Sequence, residues 1–111
     1  VIAISSNDAS TYPEDSFEKM KELSINKNLP FSYLYDETQE VAKAYDAACT
    51  PDFFGFNSEL KLQYRGRLSN KREKPKELRR ELFLAMTEIA NSGKGPSDQI
   101  PSMGCSIKWK S

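Results

Sequence analysis

The sequence has 111 residues, with 16 Lys and Arg against 16 Asp and Glu, no His, two Cys and 38% hydrophobic residues. That length holds one domain at most, and a formal net charge of zero argues against a polyanion-binding protein, whose affinity rests on neutralised phosphates. The lack of His removes imidazole general-base catalysis and every His-containing zinc site, two Cys do not make a four-thiolate site, and no run approaches the roughly 20 apolar residues of a membrane span. The expectation is therefore no metal, no cofactor, no nucleic acid and no membrane. Thiol redox, carboxylate acid/base chemistry or plain binding remain.

In chain order, Val1 to Ser5 is a continuous β-branched and apolar run ending in the turn cluster Ser6-Asn7-Asp8. It predicts a parallel strand buried on both faces. A chain starting on Val1-Ile2-Ala3-Ile4, without Met, reads as the middle of a domain, and the expectation is that something upstream is missing. Asp15-Ser16-Phe17-Glu18 has the form of a capping box, and Phe17, Met20, Leu23 and Ser24 follow at helical spacing, which predicts a helix over 16–26. Asn28-Leu29-Pro30 breaks it. Phe31 to Tyr35 alternates as a short strand does, and Asp36 with Gln39 repeats the capping signal ahead of a helix through Val41, Ala44 and Tyr45.

Cys49-Thr50-Pro51-Asp52 leads into Phe53-Phe54-Gly55-Phe56, a turn at Asn57-Ser58-Glu59, and Leu60 to Tyr64. Two apolar runs about so short a turn predict an antiparallel hairpin. Residues 69–74 form a charged loop, Pro75 suits the first position of a helix, and Leu78, Leu82, Ala85, Met86 and Ile89 share one helical face. Gly93 is a natural stop. From Lys94 to Ser111 the chain is Gly, Pro and Ser rich, without periodicity. The order β, α, β, α, hairpin, α predicts a small three-layer α/β sandwich.

The residues that could carry chemistry are few. A Pro at the start of a hairpin strand cannot donate to the ladder, so Pro51 reads on composition alone as a strand initiator. Cys49 reads either as a small buried hydrophobe or as a thiol next to that corner, and Cys105 either as a resolving or regulatory thiol or as a residue packed beside Trp109. Lys71, Arg72, Lys74, Lys76, Arg79 and Arg80 alternate with Glu73, Glu77 and Glu81, which predicts a solvated face held by i, i+4 pairs. Asp8, Glu14 and Asp15 could cluster after the first strand, although N-capping explains Asp15 more simply.

Ala3 to Asp8, Tyr12 to Asp15, Phe31 to Ala42, Cys49 to Phe54 and Pro101 to Lys110, in this order, resemble the thioredoxin-like superfamily, most closely its AhpC/TSA branch of peroxiredoxin-like and thiol:disulfide oxidoreductase proteins. The resemblance implies a thioredoxin-like α/β/α sandwich, incomplete at the N-terminus, over residues 1–93, with 94–111 an irregular tail ending in a Cys-containing segment. It implies that Thr50-Pro51 is the superfamily's cis-Pro pair, which holds substrate backbone, and that the redox-active Cys lies upstream of residue 1, at a helix N-terminus that lowers its pKa. There is no Cys-x-x-Cys here. Cys49 and Cys105 are then auxiliary thiols at most, and whether they pair stays open. Gly55 stands where a larger apolar residue is usual, and Leu60 where the turn usually has Gly.

The function so implied is peroxide reduction or thiol-disulfide exchange by a longer oxidoreductase, this chain alone being inactive. Its partners are a peroxide or a thiol or disulfide substrate and a reductant such as a thioredoxin-type protein; the compartment is open, with the cytoplasm preferred. The alternative is a noncatalytic peptide-binding module. Without the central strand of that fold the chain is expected not to be a stable lone monomer, so either an N-terminal segment or a second copy completes it.

Overall fold

In the computed structural model, which describes residues 1–110, strands and helices intermix as α/β. Three two-stranded sheets and three α-helices make up the described residues, none of the helices long and apolar enough to cross a membrane. The chain divides into two compact units, Val1–Ala48 with the segment from Ser106 onward, and Cys49–Cys105.

In the first unit β1 (Ile2–Ser5) pairs in parallel with β2 (Ser32–Tyr35), from Ile2 opposite Ser32 to Ser5 opposite Tyr35. Helix α1 (Phe17–Lys27) packs on β2, with the Phe17 and Tyr35 rings 6.4 Å apart. Its cap is Ser16, whose hydroxyl accepts the Lys19 N–H at 3.2 Å. Asp15, one residue earlier, belongs to a single 3-10 turn instead. Helix α2 (Glu40–Ala44) follows, and Met20, Ala42 and Ile107 are the buried apolar side chains.

The expectation of a strand buried on both faces fails for β1. Its positions alternate between exposed and half-buried, and Ile2, Ile4 and Leu34 remain 65%, 43% and 48% exposed. A β-branched run specifies an apolar strand but not what covers it; among the described residues β1 pairs with β2 alone.

In the second unit β4 (Phe53–Phe56) and β5 (Leu62–Gly66) form the antiparallel hairpin, with a register shift between Gly55 and Phe56. Asn57 builds the turn, its carboxamide oxygen accepting the Glu59 and Lys61 N–H groups. Helix α3 (Glu81–Ser92) lays Ala85 and Ile89 against Tyr64, with Phe53 and Leu82 beside them. Gly93 caps it at φ 77°, the left-handed region that glycine tolerates. Gly55 is buried because Met86 occupies the space above it: a Cβ there would meet Met86 Sδ at 2.5 Å.

Helix α3 begins six residues after Pro75, contrary to the sequence expectation. Pro75 and Leu78 fit a helical pattern, but the backbone of 77–79 is bonded to Asn70 instead. A side-chain amide 7 to 9 residues away thus takes the groups a helix would use.

Candidate functional site

The Cys49-Thr50-Pro51 corner lies in the second unit. β3 (Cys49–Thr50) pairs with β6 (Cys105–Ser106), which brings the strands carrying the two thiols side by side. The Thr50–Pro51 peptide bond is cis, as the resemblance implied. The Thr50 hydroxyl donates to the Cys105 carbonyl at 3.3 Å. Gly104 permits this approach, because a Cβ there would run into the Thr50 carbonyl.

Both cysteines are free thiols, but they are not equivalent. Cys105 is exposed, whereas Cys49 is half-buried with its thiol 3.9 Å from the Pro51 carbonyl. Burial pushes the Cys49 thiol above its ordinary value, the Asp52 carboxylate adds to that, and the Arg65 guanidinium opposes it. Cys49 is accordingly a protonated thiol near neutral pH, a weak attacker compared with a thiolate.

Pro51, Phe53 and Met103 border an open groove of about 700 Å³, completed by Leu68, Ser102 and residues of the loop after β5. Arg67 and Asn70, which no sequence signal singled out, hold the loop that borders it. Arg67 is clamped between Glu81, at 2.8 Å, and Glu73, at 3.1 Å, and the Glu81 and Glu73 carboxylates hold its guanidinium above its ordinary pKa. These carboxylates therefore serve Arg67, not the expected i, i+4 pairs. Asn70 is buried and bonded to the backbone of the same loop. The Ser102 hydroxyl donates to the Gly66 carbonyl at 2.6 Å, fixing the segment that leads to Met103.

In the first unit the polar residues after β1 and β2 form a clamp. Gln39 is 3% exposed; its Nε2 donates to the Ser6 and Lys108 carbonyls at 2.7 and 3.0 Å, and its Oε1 accepts the Lys110 N–H at 3.0 Å. It is thus a long-range staple more than a capping-box residue. Asp36 accepts the Ala42 and Val41 N–H groups and the Ser6 hydroxyl. Burial alone would raise its carboxyl, but these hydrogen bonds prevail and it lies below the ordinary carboxylate value. Asp8 is likewise lowered, first by the Ser10 and Thr11 hydroxyls. Asp8 and Asp15 are engaged separately, Asp15 by the Asn7 amide at 3.2 Å. No group of three metal-ligating side chains occurs among the described residues.

No protein-family model matches the chain, and no curated protein does. Among the solved structures similar to it are two of uncharacterized proteins. An uncharacterized conserved protein from Geobacillus kaustophilus is 53% identical, with a TM-score of 0.86, over 98% of this chain and 59% of its own. A hypothetical protein from Sinorhizobium meliloti 1021 is 40% identical, with a TM-score of 0.87, over 99% of this chain and 61% of its own. The chain thus spans about three fifths of the length of the solved structures it matches.

Proposed function

We propose that the chain is part of a thioredoxin-like thiol redox protein of the AhpC/TSA type, whose principal nucleophile lies outside these 111 residues. The observation that carries this reading is the corner at Cys49-Thr50-Pro51, where a strand bearing one thiol pairs with the strand bearing the other beside an open groove. The element order, with a parallel β1–β2 pair followed by the β4–β5 hairpin and α3, supports it as well.

In exchange, a thiolate attacks one sulfur of a substrate disulfide, a new S–S bond forms, and the departing sulfur leaves as thiolate and takes a proton. A second thiol then resolves the mixed disulfide. With a peroxide, the thiolate takes one oxygen to become a sulfenic acid, the O–O bond breaks, and the other oxygen leaves as an alcohol or water after protonation. A second thiol condenses with the sulfenic acid and releases water, and a dithiol reductant of the thioredoxin type restores the starting state. Cys105, being exposed, is the better placed of the two auxiliary thiols; Thr50 and Pro51 present backbone to the substrate.

The test is made on the natural-length gene product. Reduction of insulin disulfides or consumption of hydrogen peroxide, abolished by replacing a Cys outside these residues, is expected. Ser or Ala where that nucleophile should stand, with no turnover in either assay, would leave the noncatalytic peptide-binding module as the answer.

A further inference from the structure

The groove beside Pro51 carries a charge pattern that thiol chemistry does not require. Its floor is apolar: Pro51, Phe53, Leu68 and Met103, of which Leu68 and Met103 stay 55% and 65% exposed. Lys71 and Arg72 stand on its wall. Glu73 is the acidic residue of that lining, and it is taken by Arg67 together with Glu81. Lys71 and Arg72 form no ion pair with any described residue, so the wall keeps their two positive charges.

We propose that this groove binds an extended, acidic segment of a partner protein, with one apolar side chain on the floor and carboxylates against Lys71 and Arg72. Charge complementarity selects the partner: two unopposed cations on a loop anchored by Asn70 and Arg67 favour carboxylates and repel basic segments. A small peroxide offers neither an apolar side chain nor a carboxylate. A single-stranded nucleic acid would need stacking platforms, and Phe53, the one aromatic residue lining the groove, is half-buried. The inference rests on the thiol-exchange reading for what the captured segment undergoes, and it names that substrate as a protein disulfide.

Binding is measured by fluorescence anisotropy under reducing conditions, where no exchange occurs. The probes are a labelled heptapeptide with one leucine flanked by glutamates, the same peptide with lysines for glutamates, and an oligothymidylate. The glutamate peptide is expected to bind about tenfold more tightly than the lysine peptide, a difference of about 1.4 kcal/mol. Lys71→Glu with Arg72→Glu should reverse the preference, a gain for the lysine peptide that unfolding cannot imitate. Met103→Asp should weaken the glutamate peptide.

Equal binding of the two peptides, a preference that survives the double charge reversal, or tighter binding of the oligothymidylate overturns the proposal. Loss of turnover in the natural-length protein with the peptide preference intact would instead remove only the redox reading.

Discussion

Asn70 and Arg79 are bonded in both directions: the Asn70 carboxamide oxygen accepts the Arg79 N–H, and the Asn70 N–H donates to the Arg79 carbonyl at 3.2 Å. The Asn70 side-chain Nδ2–H also donates a hydrogen bond to the Glu77 carbonyl at 2.9 Å. Asn70→Ala removes the side-chain partners of two backbone groups, each hydrogen bond contributing about 0.5 to 1.5 kcal/mol net. The expected result is faster amide hydrogen exchange throughout 69–80, with exchange in α3 little changed. Unaltered exchange in the loop would mean that something other than Asn70 fixes its course.

Leu60 offers a gain in stability. It is 83% exposed at φ 61°, a region costly for a side chain with a Cβ and neutral for glycine. Leu60→Gly loses little packing and relieves that conformation, while admitting a more flexible unfolded chain. A net stabilisation of about 0.5 to 1 kcal/mol in urea unfolding is expected; destabilisation would show that the Leu60 side chain contributes contacts its exposure hides.

Acid should weaken the first unit through Asp36. Its folded-state pKa is depressed by hydrogen bonds that overcome burial. Its stabilising contribution is therefore complete above the unfolded-state value of about 3.9, and it is lost as the pH falls through the lower folded-state value. Asp36→Asn should flatten this acid limb of the stability curve. An unchanged acid limb in the variant would assign the pH dependence elsewhere, with Asp8, also depressed, as the next group to replace.

The two thiols should separate under limiting iodoacetamide at neutral pH. Cys105 is exposed, while Cys49 is half-buried with a raised pKa. Peptide mapping by mass spectrometry is expected to find Cys105 alkylated several-fold sooner. Equal rates, or Cys49 first, would contradict both the burial and the protonation state assigned to it.

Gly104→Ala should disturb the pairing of β3 with β6, because the added Cβ meets backbone, the Thr50 carbonyl, and not a flexible side-chain end. The readout is Cys49, whose alkylation should accelerate once β6 lifts away. A rate equal to the parent's would show that the strands tolerate the methyl group.

Sequence disclosed what depends on neighbours along the chain. The period of Phe17, Met20 and Leu23 placed α1, the turn at Asn57 placed the hairpin, and Gly93 ended α3, because each signal acts within a few residues. The family resemblance, not Thr50-Pro51 by itself, implied the cis bond at the corner. What escaped was long-range. Gln39 looks like a cap until its partners prove to be Ser6, Lys108 and Lys110, up to 71 residues distant. Arg67 has no sequence pattern linking it to both Glu73 and Glu81, and the exposure of β1 follows from what stands beside it, not from its own composition.

The loop after β5 owes its path to Asn70, Arg67 and two carboxylates, and the bonds made by Asn70 go to main-chain atoms that every non-proline residue supplies. Lys71, Arg72, Lys74 and Lys76 contribute nothing to that scaffold through their side chains. Exchanging their charges one by one is therefore expected to leave the course of the backbone unchanged. In the binding role proposed above, the loop would be an interchangeable recognition cassette on a fixed mount, its preference open to redesign without rebuilding the hairpin or helix that bound it.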